Sequence, residues 1–275
     1  MLKRTISSIF IVLVAVAFFF LRLIDYRLFA ILIYALGIMA SYELTKAYGD
    51  KITKIQKWLV LGFTATVIPL AVFFRGYVIH YLCVYVLGSI AFTEIFDKEN
   101  IENSTPNAVF CMFYPTIPLL SLVFLNAFGA YSLYLLVMVL LVTSLTDVGA
   151  YLIGSLLKGP KLCPNISPNK TISGAIGGLV FAVIANFIIY FIFKAVGVVP
   201  FAEANIIKLI IFLVGSAGII GVATEVGDLT ESRIKRKLGV KDMGNLIPGH
   251  GGILDRIDGL TFSSLATFVL YSLFL

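Results

Sequence analysis

GAIGGLVFAVIANFIIYFIF, residues 174–193, is twenty residues long and carries no charge. As an α-helix rising about 1.5 Å per residue it extends roughly 30 Å, the thickness of a bilayer's hydrocarbon core. The whole chain repeats the pattern. Its 275 residues are 60% hydrophobic and only 13% charged, with a mean hydropathy of +1.01. That charged share is about half the fraction a soluble domain needs to cover its surface. The composition therefore predicts an all-α, polytopic integral membrane protein.

Runs of this kind recur near 5–21, 28–47, 58–74, 77–94, 108–128, 132–153, 174–193, 207–226 and 257–275, which predicts about nine transmembrane helices. The first is flanked by Lys3 and Arg4 like a signal peptide, but no small-x-small cleavage pattern precedes Arg22, so it is kept as a span. Nine spans with a cytoplasmic N-terminus put every basic residue except Arg22, Arg27, Arg75, Lys194 and Lys208 on the inner side. Basic loops are retained in the cytoplasm, so this orientation is expected, with the site facing the cytoplasm.

The net charge of +6 fits loops that face anionic headgroups, and no nucleic-acid partner is expected. Cys83, Cys111 and Cys163 form no CxxC pair, which supports neither a zinc knuckle nor a disulfide framework. No internal repeat is visible, which speaks against an inverted-repeat transporter. Residues 1–130 read as scaffold. Residues 131–275 read as a catalytic region, with the chemistry in cytoplasmic loops 154–173 and 227–256.

The eighth span continues into GDLTESRIKRKLG, residues 227–239, where helical spacing sets Thr224, Asp228, Glu231 and Lys235 on one face. A carboxylate at the hydrocarbon edge is costly unless paired or metal-bound, so Asp228 is a functional candidate. Asp255 and Asp258, at i and i+3, point the same way from the last helix. Carboxylates that converge without enough cations repel one another, and Mg²⁺ relieves this while supplying charge for phosphate oxygens. Asp228, Asp255 and Asp258 are therefore candidate metal ligands; the alternative has Asp255 capping the helix and Asp258 paired with Arg256 or Lys241.

In IPGHGG, residues 247–252, Gly249, Gly251 and Gly252 allow close approach of amides to an anion, or positive φ. His250 alone is more often a hydrogen-bonded loop residue than a catalyst. In KGPKLCPNISPNKTISGAIGG, residues 158–178, Lys170, Thr171, Ser173 and Gly174 precede a helix that Ser167 or Ser173 is expected to cap. A lysine, hydroxyls and amide donors there make either an anion site or a simple turn and cap. Asp147, inside a span, is expected to face the protein interior near a lysine or the metal. Glu43 and Glu94, at span ends, call for no functional explanation, and His80 reads as a satisfied helix residue.

Residues 227–259 resemble the C-terminal motif of the bacterial phosphatidate cytidylyltransferases, or CDP-diacylglycerol synthases. The resemblance rests on Ser232, Lys235-Arg236, Lys241-Asp242, Pro248 to Gly252 and Asp255-Arg-x-Asp258 at the family's intervals. The block around Asp147, Ala150, Tyr151 and Gly154, then ISPNKTISGAIGG, is similar as well. Asn169, Ile172, Ser173, Met243 and Gly259 depart from the pattern.

The resemblance implies that CTP and phosphatidic acid give CDP-diacylglycerol and pyrophosphate, with Mg²⁺ alone or beside a second cation. It implies metal ligation by Asp228, Asp255 and Asp258, and catalytic roles for Asp147, Lys241, His250 and Arg256. Contacts to CTP are implied for Ser167, Lys170, Thr171, Lys235, Arg236, Gly249, Gly251 and Gly252. The lipid substrate stays in the membrane, and pairing into a homodimer is left open. The rival readings are a CDP-alcohol phosphatidyltransferase, of whose repeated Asp-Gly pattern only Asp258-Gly259 is present, and a secondary transporter with carboxylate ion sites.

Overall fold

The computed structural model of the chain describes residues 2–97, 99, 101–200, 205–247, 249 and 251–274. Helices dominate them: α1 Leu2–Ile24, α2 Tyr26–Tyr48, α3 Lys54–Phe73, α4 Val78–Phe96, α5 Ser104–Phe113, α6 Thr116–Asn126, α7 Ser132–Leu157, α8 Ile172–Ala195, α9 Ile206–Leu238 and α10 Leu254–Phe274. Among the described residues, eight helical stretches are long and apolar enough to cross a membrane, and Ile9–Ile24 is a shorter apolar one.

The quoted run explains its own helix. Large side chains at Ile176, Val180, Ile184, Ile188 and Ile192 recur every fourth residue and are exposed, as a lipid-facing stripe would be. The opposite face buries small residues, among them Gly174, Gly177, Gly178, Ala182 and Ala185. Against it lies α7, whose Ile153 would collide with any side chain at Gly177. Small residues let two helices approach closely in lipid, where the packing itself must hold them. The lone amide in the run, Asn186, is fully buried and donates to the Leu213 carbonyl and Ser216 Oγ of α9, both at 2.9 Å.

The structure redraws three expected boundaries. The run expected as one span near 108–128 is one apolar stretch, Ser104–Asn126, but starts earlier and is built of two helices, α5 and α6, broken at Tyr114–Pro115, because proline has no N–H for the helical ladder. Residues 154–173, expected as a loop, continue α7 to Leu157 and then form an antiparallel hairpin, β1 Lys161–Cys163 and β2 Ser167–Thr171. Residues 227–256, expected as a loop, are helix as far as Leu238, which agrees with the helical spacing of Thr224, Asp228, Glu231 and Lys235 and puts Asp228 inside α9.

Two compact units divide the chain: residues 1–124 with 238–256, and residues 125–237 with 257–275. In the first, Ser41, Thr64 and Thr116 join α2, α3 and α6 through hydroxyl contacts of 2.9 and 2.7 Å, which satisfies polar atoms in an otherwise apolar core.

Candidate active site

The unit of 125–237 and 257–275 holds a cavity of about 430 Å³ lined by Asp147 and Tyr151 of α7, Asn169, Lys170 and Thr171 of β2, Gly174 of α8, and Glu225 and Asp228 of α9. The hairpin turns the chain from α7 into α8, and Thr171 ends it as the N-cap of α8, accepting from the Gly174 amide at 3.1 Å. This corrects the expectation that Ser167 or Ser173 caps the helix. Ser173 Oγ instead donates to the Lys158 carbonyl, and Ser167 pairs in register with Cys163.

Lys170, the residue before this cap, reaches α9. Its Nζ lies 2.8 Å from Glu225 Oε2 and 2.8 Å from Asp228 Oδ2. Burial works to lower its pKa, but the carboxylates of Asp228 and Glu225 outweigh it and hold the ammonium above its usual range. Ser232, one turn along α9, donates to Asp228 Oδ1 at 3.3 Å.

Asp258 of α10 lies within electrostatic reach of Asp228 and Lys170, and Asp147 within reach of all three and of Glu225. Gly227 permits this: a Cβ there would stand 2.5 Å from the Asp258 carbonyl oxygen. One turn further on, Lys235 pairs with the fully buried Glu231 at 3.2 Å. Arg236 is exposed.

Asp147, Glu225, Asp228 and Asp258 thus outnumber Lys170 and Lys235, the described lysines within their electrostatic reach, and Glu225 Oε1 is buried with no hydrogen-bond partner among the described residues. An all-oxygen donor set with surplus negative charge fits a hard divalent cation. Among the described residues no three His, Cys, Asp or Glu side chains converge into a ready cage.

The other expected residues fall in the unit of 1–124 and 238–256. Lys241 and Arg256 are exposed there. Gly249 and Gly251 adopt φ of 78° and 84°, the left-handed region that glycine tolerates. Asp255 Oδ2 accepts from the amides of Met243 and Gly252, both at 2.9 Å. His250, with Pro248, lies outside the described residues.

Glu43 is the residue whose importance the sequence hid. It is 1% exposed, and the Leu254 amide donates to its Oε2 at 3.0 Å. The backbone amides of Ile253 and Leu246 also hydrogen-bond to it. A Cβ at Gly252 would stand 2.4 Å from Oε2, and one at Gly244 2.4 Å from Oε1. Gly244, Leu246 and Gly252 to Leu254 therefore close around this carboxylate, which corrects the expectation that Glu43 needs no explanation beyond its place at a span end. Glu225 was likewise passed over beside Asp228. Its spacing of three residues was the available signal.

Comparison with known proteins adds to this geometry. The model of the cytidylyltransferase family matches residues 2–274. The phosphatidate cytidylyltransferase of Brucella suis biovar 1 (strain 1330) is 40% identical over 131 residues, covering 47% of this chain and 43% of the relative. That of Bacillus subtilis (strain 168) is 42% identical over 129 residues, covering 47% and 44%. That of Staphylococcus haemolyticus (strain JCSC1435) is 45% identical over 118 residues, covering 43% and 41%. The matched stretch spans less than half the length of these curated relatives.

Proposed function

Since the chain belongs to the cytidylyltransferase family, we propose that it transfers a cytidylyl group from CTP to phosphatidic acid, giving CDP-diacylglycerol and pyrophosphate. The observation that carries this reading is Lys170 bridging Glu225 and Asp228 in a cavity that Asp147 also lines. A cation set among carboxylates is what a site needs to receive a metal-bound polyanion.

A phosphate oxygen of the lipid attacks the α-phosphorus of CTP in line. The bond from that phosphorus to the bridging oxygen breaks, and pyrophosphate leaves. The nucleophile is already an anion, so no strong general base is required, and the chemical task is to hold two polyanions together. Of the three expected ligands, Asp228 and Asp258, with Asp147 in place of Asp255, whose Oδ2 accepts the amides of Met243 and Gly252, would hold Mg²⁺, which when bound supplies positive charge to the phosphate oxygens.

Lys170 exchanges part of its contact with Asp228 and Glu225 for a nucleotide phosphate. Asn169 and Thr171, whose hydroxyl caps α8, line the same cavity as hydrogen-bonding side chains. Lys235 and Arg236 offset charge further along α9. Phosphate contact is assigned also to Lys241, Gly249, His250, Gly251, Gly252 and Arg256, with Asp255 holding the Met243 and Gly252 amides. The lipid's acyl chains remain among the spans, with the site on the cytoplasmic side of a bacterial membrane.

The test is pyrophosphate release by the purified chain in lipid nanodiscs, with CTP, UTP, ATP or GTP, with and without phosphatidic acid and Mg²⁺. Release that requires CTP, phosphatidic acid and Mg²⁺ together, with CDP-diacylglycerol identified by mass, is expected. Well-folded protein that releases no pyrophosphate from CTP and phosphatidic acid would overturn the proposal.

A further inference from the structure

In the unit of 1–124 and 238–256, the turn joining α2 to α3 gathers positive charge. α2 stops at Tyr48 with Gly49 at φ 55°, a single 3-10 turn follows over Gly49–Lys51, and a capping box of Thr53 and Gln56 starts α3. This tight connection brings Lys46, from the last turn of α2, beside Lys54 and Lys57, from the first turn of α3. The three lysines line one cavity of about 340 Å³ with Tyr42, Thr45, Trp58 and Leu61. Lys46 Nζ stands 5.9 Å from the centre of the Tyr42 ring. Among the described residues none of the three lysines makes an ion pair, and no carboxylate lines the cavity.

Like charges gathered this way repel, and their position makes the repulsion worse. A helix N-terminus is itself the positive end of the helix dipole and favours acidic residues, yet the first turn of α3 holds none and carries Lys54 and Lys57 instead. The geometry calls for an anion. The rest of the cavity describes the molecule that carries it: its walls are aromatic and aliphatic, Trp58 is 75% exposed and Tyr42 46% exposed. It lies at the ends of two stretches long and apolar enough to span a membrane, Tyr26–Lys51 and Lys54–Phe73. Aromatic side chains beside lysines at a span end are the residues that sit at lipid headgroup level.

We infer that this groove binds the headgroup phosphate of an anionic phospholipid from the surrounding leaflet. Lys46, Lys54 and Lys57 hold the phosphate, and Trp58 and Tyr42 pack against the glycerol and first methylenes. A free nucleotide would find no hydrogen-bonding wall here to recognise a base or sugar. The groove shares no lining residue with the cavity of Lys170 and Asp228, and the inference holds whatever reaction that cavity performs.

Trp58 is the chain's single tryptophan, so its fluorescence reports on the groove alone. The full chain is reconstituted in phosphatidylcholine bilayers containing equal mole fractions of phosphatidylglycerol or phosphatidylcholine brominated near the headgroup end of the acyl chain. Brominated phosphatidylglycerol is expected to quench Trp58 more strongly, by an enrichment that falls about five-fold for each of Lys46, Lys54 and Lys57 changed to Gln. Arginine at all three positions should retain the preference, which separates lost charge from lost folding. Lys51→Gln, in the same turn but outside the groove, should leave it unchanged. Equal quenching by the two lipids overturns the inference. A loss in Lys51→Gln as large as in the groove variants does too, since that is diffuse surface attraction. So does relief of quenching by millimolar inorganic phosphate, which would make the occupant a soluble anion.

Discussion

Glu43 Oε2 accepts the amide hydrogen of Leu254 at 3.0 Å, across 211 residues of sequence. The bond fixes the start of α10 and the loop before it upon a buried carboxylate of α2. Glu43→Ala removes that acceptor and leaves a void where Gly244 and Gly252 now pack, so stability should fall by about 1–3 kcal/mol. Amide hydrogen exchange over 242–254 should quicken while exchange in α7 and α8 stays as in the parent. Gly252→Ala, which drives a methyl group into the same carboxylate, should reproduce the pattern. Unchanged exchange in Glu43→Ala would mean that the loop holds its shape without the carboxylate.

Lys170→Met should separate the structural part of that lysine from the chemical part. Removing one partner of a shielded ion pair leaves Glu225 and Asp228 uncompensated, and a loss of about 3 kcal/mol is expected. Adding Glu225→Gln should return part of the stability and none of the activity. Recovery of turnover in the double variant would show that Lys170 serves only to neutralise Glu225.

The same lysine predicts a pH effect with a definite sign. Its pKa in the folded protein is raised by Asp228 and Glu225, so the stabilisation is fully present below the ordinary lysine value of about 10.4 and is lost as pH rises through the folded value. Thermal unfolding of the parent should show this alkaline loss above pH ~10, and Lys170→Met should lack it.

The carboxylates of α9 and α10 bear on metal dependence. Chelation should stop pyrophosphate release and fresh Mg²⁺ should restore it. Asp228→Asn and Asp258→Asn should each raise the Mg²⁺ concentration for half-maximal rate by about 10–100-fold. Parental Mg²⁺ dependence in both variants would remove them from metal binding.

Gly227 measures how closely α9 and α10 must approach. Because a Cβ would stand 2.5 Å from the Asp258 carbonyl, Gly227→Ala must shift one helix, at a cost of about 1–3 kcal/mol. Activity should fall with stability, since Asp228 and Asp258 separate together. A Gly227→Ala protein with the parental melting temperature and rate would show that the contact is easily relieved.

The membrane-spanning character, most of the helices and the residues worth suspecting were determined by sequence alone. Each rests on a local property: enough consecutive apolar residues to cross hydrocarbon, a three- or four-residue spacing of carboxylates, or glycines where φ turns positive, as at Gly249 and Gly251. Tertiary structure decided which polar groups meet. Lys170 lies 55 residues from Glu225, and Glu43 lies 211 from Leu254. Neither partnership leaves a periodic trace, because a buried charge is compensated by whatever the fold carries to it rather than by its neighbours in the chain. Hydropathy ends the eighth span near 226, and the three- and four-residue spacing of Asp228, Glu231 and Lys235 is what marks the helix beyond it, which the Lys235–Glu231 pair helps to hold. Sequence length and polarity select the solvent of each segment; only packing in three dimensions selects the partner of each charge.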